Sequence, residues 1–214
     1  MNTQKRISIV FATIMEAEPF ICMTNAVLIL RDPWPVYQTS ISGLAVTIII
    51  TGMGMQTTSI ASKFFIENYP IDMIFNCGVA GSLTSDFAVG DIVNITDSWI
   101  SKNGGLEKDI CHLSAHTFSL QGYKDGVLLT VDKPVFDPVR RKILSADTQL
   151  VDMEGGIIAR ICEQNNIPCQ LIKIISDDAT ERKQLKHNLH AVSKILADNL
   201  VSDICRLFNQ EMVA

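Results

Sequence analysis

The succession of apolar and polar positions divides the chain into alternating strands and helices. Ile7–Ala12 (ISIVFA) is a nearly continuous apolar run, the pattern of a strand buried on both faces. A helix is expected to begin in the segment that follows, Thr13 to Phe20. Val36–Thr51 reads as two strands around a Ser42-Gly43 turn, and its β-branched stretch Val46–Ile50 should be central in a sheet. Thr57-Thr58-Ser59 opens a helix that runs through Ile66, and Asp72–Cys77 is the next strand. Val89–Val93 starts another strand, and Gly126–Val131 a further one. Arg140–Ala146 is helical and Leu150-Val151 a short strand. Ile157, Ile158, Ile161 and Cys162 recur at helical spacing until Asn165-Asn166 and Pro168 stop them. Leu171–Ile175 then reads as a strand buried on both faces, interrupted only by Lys173. After Asp178 the chain is polar through Asn188, and Val192–Leu207 closes it as an amphipathic helix. Ser101–Gly126 shows little periodicity of either kind. The alternation predicts an α/β protein.

Composition narrows this reading. The 214 residues, 47% hydrophobic and 19% charged, suffice for a sizeable core in one large α/β domain or two small ones. The net charge is −5 and the basic residues are scattered, which argues against a nucleic-acid surface. Six cysteines occur singly, none in a CxxC pair, as expected in a reducing cytoplasm. Lys5-Arg6 before an apolar stretch resembles a signal peptide, but Glu16 and Glu18 interrupt it early. No run approaches the ~18 apolar residues of a membrane span. A soluble protein with no membrane partner is expected.

The candidate chemistry lies in acids and glycine turns. Glu154 falls near a helix start and Asp177 at a strand end, where ligands gather in α/β sheets, so two carboxylates can meet at one ligand. Each also has a purely structural reading as a helix cap or dipole partner. Asp178 reads as the cap of the next helix, and Asp91 as a polar turn between strands. Thr51-Gly52-Met53-Gly54 has the look of a phosphate cradle, without the third glycine of a dinucleotide turn or the lysine of a P-loop. Gly78 and Gly81 let the backbone approach a ligand closely. His112 and His116 lack a third ligand at metal spacing, so no metal is expected, and no cofactor.

These motifs together resemble one family. Met15-Glu16-Ala17-Glu18 after the first strand, Thr51–Gly54, Asn76-x-Gly78-x-Ala80-Gly81 with Val89-Gly90-Asp91-Ile92-Val93, Met153-Glu154, and Ile175-Ser176-Asp177 occur in the order found in purine nucleoside phosphorylases and 5′-methylthioadenosine/S-adenosylhomocysteine nucleosidases. The resemblance covers about residues 7–205. It implies a single domain over residues 1–214, with a three-layer α/β/α fold around a mixed, partly barrel-like sheet. It further implies a homodimer that acts on a small-molecule nucleoside.

The resemblance also implies roles. Asp177, protonated at the moment of reaction, donates to the departing purine, and Glu18 orients and deprotonates the attacking water. Glu154 holds the ribose hydroxyls over Met153, and the turn at Gly78, Val79 and Ala80 lies against base and ribose beside Ser176. The base is sandwiched at Pro134-Val135, with Phe136 as a substitute, and His187 lies near the substrate's 5′ end. The phosphorylases' arginine before the glycine turn is absent, since the strand reads Ile74-Phe75-Asn76-Cys77, so water is the expected nucleophile. Val79 replaces the serine or threonine common in nucleosidases. The implied activity is hydrolysis of the N-ribosidic bond of a 5′-modified adenosine of the methylthioadenosine, S-adenosylhomocysteine or aminodeoxyfutalosine class. Phosphate-dependent cleavage, futalosine hydrolysis and non-catalytic nucleoside binding stand as alternatives.

Overall fold

The computed structural model describes residues 5–102, 107–111, 120 and 122–211. In chain order the elements begin with β1 (Arg6–Phe11), α1 (Ile14–Met23), β2 (Val27–Leu30), β3 (Val36–Ile41), β4 (Leu44–Ile50) and α2 (Met55–Asn68). There follow β5 (Met73–Ser82), β6 (Ile92–Lys102), β7 (Glu107–Cys111), β8 (Lys124–Thr130) and α3 (Pro138–Leu144). The last are β9 (Leu150–Asp152), α4 (Gly155–Gln164), β10 (Cys169–Asp177) and α5 (Arg182–Glu211).

All ten strands belong to one mixed sheet. β5, β10, β6, β8 and β9 pair in a closed ring, and β1, β4, β3 and β2 continue from β5 as an open wing. The neighbours β4, β1, β5 and β10 run parallel, which is why their sequences are near-continuous apolar runs. Alternate side chains go to opposite layers. Ile7, Ile9 and Phe11 pack under α1 and α5, against Ala17, Phe20, Val192, Leu196 and Leu200. Val10, Ile49 and Ile74 face the other way, against Phe65 of α2 and Ile158 and Cys162 of α4. Each such buried side chain contributes about 1.5–3 kcal/mol of transfer free energy. A third cluster joins Leu129, Val131, Val135 and Val151 to Leu144 of α3. The three layers and the barrel-like ring are those that the sequence resemblance implies.

The Gly155-Gly156 pair shows how close the layers come. A Cβ at Gly155 would stand 2.6 Å from Leu128 Cδ2, and one at Gly156 2.8 Å from Ile100 Cγ1. Only glycine lets the first turn of α4 rest on β6 and β8.

The structure departs from the sequence pattern in three places. β2 is a short, half-exposed edge strand that the sequence reading did not assign, although Val27–Leu30 is a continuous apolar run. The aperiodic middle contains β6 through Lys102, paired antiparallel with β7. α5 starts at Arg182, well before the apolar face at Val192, because its first turns lie at the surface. Asp178 does not cap that helix directly; its Oδ1 accepts the Thr180 N–H in the turn ahead of it. Asp91 is structural as expected, accepting the Ala88 N–H and pairing with Lys124. His112 and His116 lie outside the described residues. Among the described residues no helix is long and apolar enough to cross a membrane.

Candidate active site

A cavity of about 270 Å³ opens at the ends of β1, β4, β8, β9 and β10 and along the last part of β5. It is lined among others by Glu16, Val79, Ala80, Val135, Phe136, Asp152, Met153, Glu154, Ser176 and Asp177. Its volume lies just below the roughly 300–1,000 Å³ of small-molecule sites, on the scale of a nucleoside.

Glu154 occupies the N-cap position of α4 but does not cap it. Its Oε1 instead accepts the Gly54 N–H at 2.6 Å, from the turn after β4. The cap is supplied by Asp152, whose Oδ2 accepts the Gly155 N–H at 2.8 Å, while its Oδ1 accepts the Thr130 hydroxyl at 2.6 Å. Thr130 Oγ1 in turn accepts the Gly156 N–H at 2.7 Å. With the helix start satisfied by other groups, the Glu154 carboxylate is left for the cavity. Burial and the nearby charge of Asp152 push its pKa up to about 7, against the Gly54 N–H and Lys173, which favour the charged form.

Lys173, the single basic residue of the buried strand β10, reaches Asp152 Oδ2 at 2.9 Å with both side chains almost wholly enclosed. Burial opposes its charge, but the attraction of Asp152, Glu154 and Glu16 prevails and holds its pKa above the ordinary lysine value. A lone charge inside an apolar strand must find such a partner, and that was the sequence signal for this pair.

Asp177 ends β10 and is buried. Its Oδ1 accepts the Ala179 N–H at 2.9 Å, and its Oδ2 lies 2.7 Å from the Ser176 hydroxyl. Gly81 on β5 makes room for it, since a Cβ there would stand 3.0 Å from Asp177 Oδ1. The carboxyl is thereby fixed from behind, with its position at the cavity wall set by two strands.

At the start of α1 the structure corrects the sequence reading. Glu18 is exposed and lines a separate groove with Pro19, Cys22, Met23, His190 and Lys194, outside the cavity. Glu16 is the buried acid in the cavity. Two residues along an α-helix turn the side chain by roughly 200°, so the two acids cannot share a face. Thr13 and Glu16 form a capping box: Glu16 Oε2 accepts the Thr13 N–H at 2.8 Å, and Thr13 Oγ1 accepts the Glu16 N–H at 3.3 Å. The other oxygen, Oε1, accepts the Val79 N–H at 3.1 Å. The Thr-x-x-Glu spacing was legible in the sequence and points to Glu16 as the acid turned back over the helix start.

His187 shows the same geometric effect. It is exposed and outside the cavity lining, which takes Leu185, Lys186 and Leu189 from α5 instead. Leu185 and Leu189 are four residues apart on one helical face, and His187 points away from it. Val135 is buried and Phe136 half-buried at the cavity, next to Pro134. Gly78 is buried behind the lining, where a Cβ would stand 2.9 Å from Glu16 Oε1. Sequence reasoning gave no role to Met15 or Met53, which it met only as members of motifs, nor to Leu185, Lys186 or Leu189, all of which line the cavity. Exposed apolar side chains carry no periodic signal that separates a cavity mouth from ordinary surface.

Comparison with known proteins agrees with this geometry. Residues 29–109 and 103–207 match the model of the phosphorylase superfamily. A 5′-methylthioadenosine/S-adenosylhomocysteine nucleosidase of Buchnera aphidicola is 31% identical over 189 residues, covering 73% of this chain and 81% of that protein. The nucleosidase of the same name from Shewanella pealeana is 29% identical over 163 residues, covering 65% and 71%. Among solved structures, the Helicobacter pylori 5′-methylthioadenosine/S-adenosylhomocysteine nucleosidase with butyl-thio-DADMe-Immucillin-A superposes with a TM-score of 0.86 at 19% identity, over 95% of this chain and 99% of that one. A futalosine hydrolase mutant of the same organism gives 0.82 at 18% identity, over 93% and 99%. The chain therefore belongs to the phosphorylase superfamily.

Proposed function

We propose that the protein is an N-glycosyl hydrolase that cleaves the N-ribosidic bond of a 5′-modified adenosine with water and releases the free base. The observation that carries the choice of water is the hydrogen bond from Gly54 to Glu154. The backbone donor of the one turn that resembles a phosphate cradle is already taken by a carboxylate. Glu16, Asp152 and Asp177 also line the cavity, and Lys173 is held against Asp152. A phosphate dianion there would meet like charges at short range, whereas neutral water and a cationic transition state would not.

In this reading the base lies against Val135 and Phe136 with its imidazole edge at Asp177. As the N9–C1′ bond breaks, Asp177 delivers a proton to N7 and so neutralises the leaving base. Glu154, ionised, accepts hydrogen bonds from the ribose hydroxyls and stabilises positive charge on the sugar, which rests on Met153. Glu16, and not Glu18, takes the proton of the water whose oxygen bonds to C1′. Val79 acts through its backbone N–H, which aims Glu16, so the loss of a side-chain hydroxyl at that position leaves this function intact. The 6-amino purine is favoured because the curated relatives carry methylthioadenosine and S-adenosylhomocysteine in their names.

The reading extends to a homodimer in a reducing cytoplasm. Exposed Ile14, Met15 and Met53 at the cavity's edge favour cover by a second subunit. Among the described residues Cys22, Cys77, Cys162, Cys169 and Cys205 stand outside any disulfide, which suits a reducing compartment.

The test is base release from 5′-methylthioadenosine, S-adenosylhomocysteine, adenosine and inosine, with and without phosphate, by wild type and Asp177→Asn. Phosphate-independent adenine release that falls about 10²–10⁴-fold in the variant is expected. Release that requires phosphate would make the protein a phosphorylase. Binding without release from any nucleoside would leave a non-catalytic receptor.

A further inference from the structure

The cavity changes character from its floor to its mouth. The floor holds Asp152, Glu154, Asp177 and Glu16, each fixed by backbone or side-chain donors. The mouth is formed by Met15, Met53, Leu185 and Leu189, with Met15 56% and Met53 70% exposed. Among the described lining residues, Lys186 is the only cationic side chain.

The arrangement of α1 and α5 places that lysine. Met15 and Glu16 share the cavity with Leu185, Lys186 and Leu189, while Glu18 to Met23 share the next groove with His190 and Lys194. The two helices therefore run side by side in the same direction, and the first turns of α5 stand over the start of α1. With a purine at Asp177 and ribose at Glu154, the remaining wall of Met15, Met53, Leu185 and Leu189 is left for whatever the 5′ carbon bears. Four apolar side chains suit an apolar linker, and Lys186 is an exposed cation at its outer end.

The stretch of chain that carries Lys186 has charges of one sign. In a chain of net charge −5, no acid occurs between Glu181 and Asp198. That stretch carries Arg182, Lys183, Lys186 and Lys194 together with His187 and His190. An acidic floor is thus capped by a basic helix start, an arrangement that favours a ligand with a cationic sugar in its transition state and an anion at its far end.

We propose that Lys186 makes the site selective for adenosines whose 5′ substituent is an apolar arm ending in a carboxylate. This rests on the nucleosidase reading above. The matched pair for the test is 5′-butylthioadenosine and 5′-(3-carboxypropyl)thioadenosine, with kcat/KM measured for wild type, Lys186→Met and Lys186→Glu. Wild type prefers the carboxylate, and the preference falls up to about fivefold in Lys186→Met, the range of one solvent-exposed ion pair. Lys186→Glu lowers the ratio further. The change appears in KM, since the arm is held equally in ground and transition states. Raising salt from about 0.05 to 0.5 M erodes the wild-type preference and leaves that of Lys186→Met flat.

A ratio that is the same in all three proteins, or a proportionate loss on both nucleosides, would overturn the proposal. If wild type cleaves neither nucleoside, the hydrolase reading fails separately. The ratio of dissociation constants for the same pair, measured calorimetrically, then decides the role of Lys186 by the same criteria.

Discussion

The two ends of the cavity are built by different means. At the floor, strand ends and the start of α4 hold Asp152, Glu154 and Asp177 in buried positions, each fixed by a backbone N–H, with Lys173 of β10 paired to Asp152. At the mouth, two helix starts and a turn present Met15, Met53, Leu185 and Lys186 to solvent. A strand end allows little positional choice, because its neighbours in the sheet fix it within a fraction of an ångström. A helix start can present a different residue with each 100° step. The floor is therefore suited to chemistry and the mouth to selection, and changes at the two should differ in kind as well as in size.

The largest expected contrast is between Glu16 and Glu18. Glu16→Gln keeps the size of the side chain and an acceptor for one of the Thr13 and Val79 N–H groups, so the fold should be retained at some cost in stability while the base for water is lost. Turnover should fall about 10²–10⁴-fold, the range for a positioned general base. Glu18→Gln, in the groove outside the cavity, should remain within about twofold of wild type. Steady-state adenine release from the two variants settles the order; equal losses, or a larger one at Glu18, would return the role to the acid that the sequence resemblance selects.

Stability should separate the floor from the mouth in the same way. Lys173→Met removes one partner of an enclosed ion pair and leaves Asp152 uncompensated, at a cost of about 3–5 kcal/mol. Lys186→Met, at an exposed position, should cost no more than about 0.5 kcal/mol. Adding Asp152→Asn to Lys173→Met should recover part of the loss, because the charge that Lys173 paired with directly is then removed as well. Urea unfolding of these three variants and of Asp152→Asn alone measures this, and additive losses in the double variant would show that the two residues are not coupled.

What could be read from the sequence follows the same division. The strands with continuous apolar runs, Ile7–Ala12, Val46–Ile50 and Leu171–Ile175, lie where their patterns place them, because burial on both faces forces such runs. Asp177, Glu154 and Met153, all tied to strand ends, come together at one cavity, joined by Val79, Ala80 and Gly81 from within β5, where the sequence reading expects a turn after Cys77. Of the three residues it does not include, Gly78 lies just behind the lining, and Glu18 and His187 are both on helices, where an offset of two positions reverses the face. Asp152 received no role in the sequence reading, and nothing in the pattern sets it apart from a helix cap. It is indeed the cap, and it anchors Lys173 as well. The polar opening of α5 gave no helical signal because nothing but Leu185 and Leu189 ties those turns to an apolar face.

The smallest effect, and the one that probes the floor's electrostatics directly, is the titration of Glu154. Its pKa of about 7 lies well above the ordinary 4.5 of a glutamate, from burial first and the charge of Asp152 second. The carboxylate form is the one that can stabilise a cationic sugar. Hence kcat/KM, which reports the free enzyme, should fall about tenfold for each pH unit below about 7. Stability moves the opposite way. Between about 4.5 and about 7 the folded protein keeps a proton that the unfolded chain has lost, so this group's contribution declines as pH rises across that window. Glu154→Gln should abolish that part of the pH dependence of urea unfolding while leaving the enzyme nearly inactive. A flat kcat/KM from pH 5 to 8, or an unfolding profile that Glu154→Gln leaves unchanged, would mean that Glu154 is already ionised at pH 5. The floor would then hold its negative charge without strain, and the opposition between activity and stability would be absent.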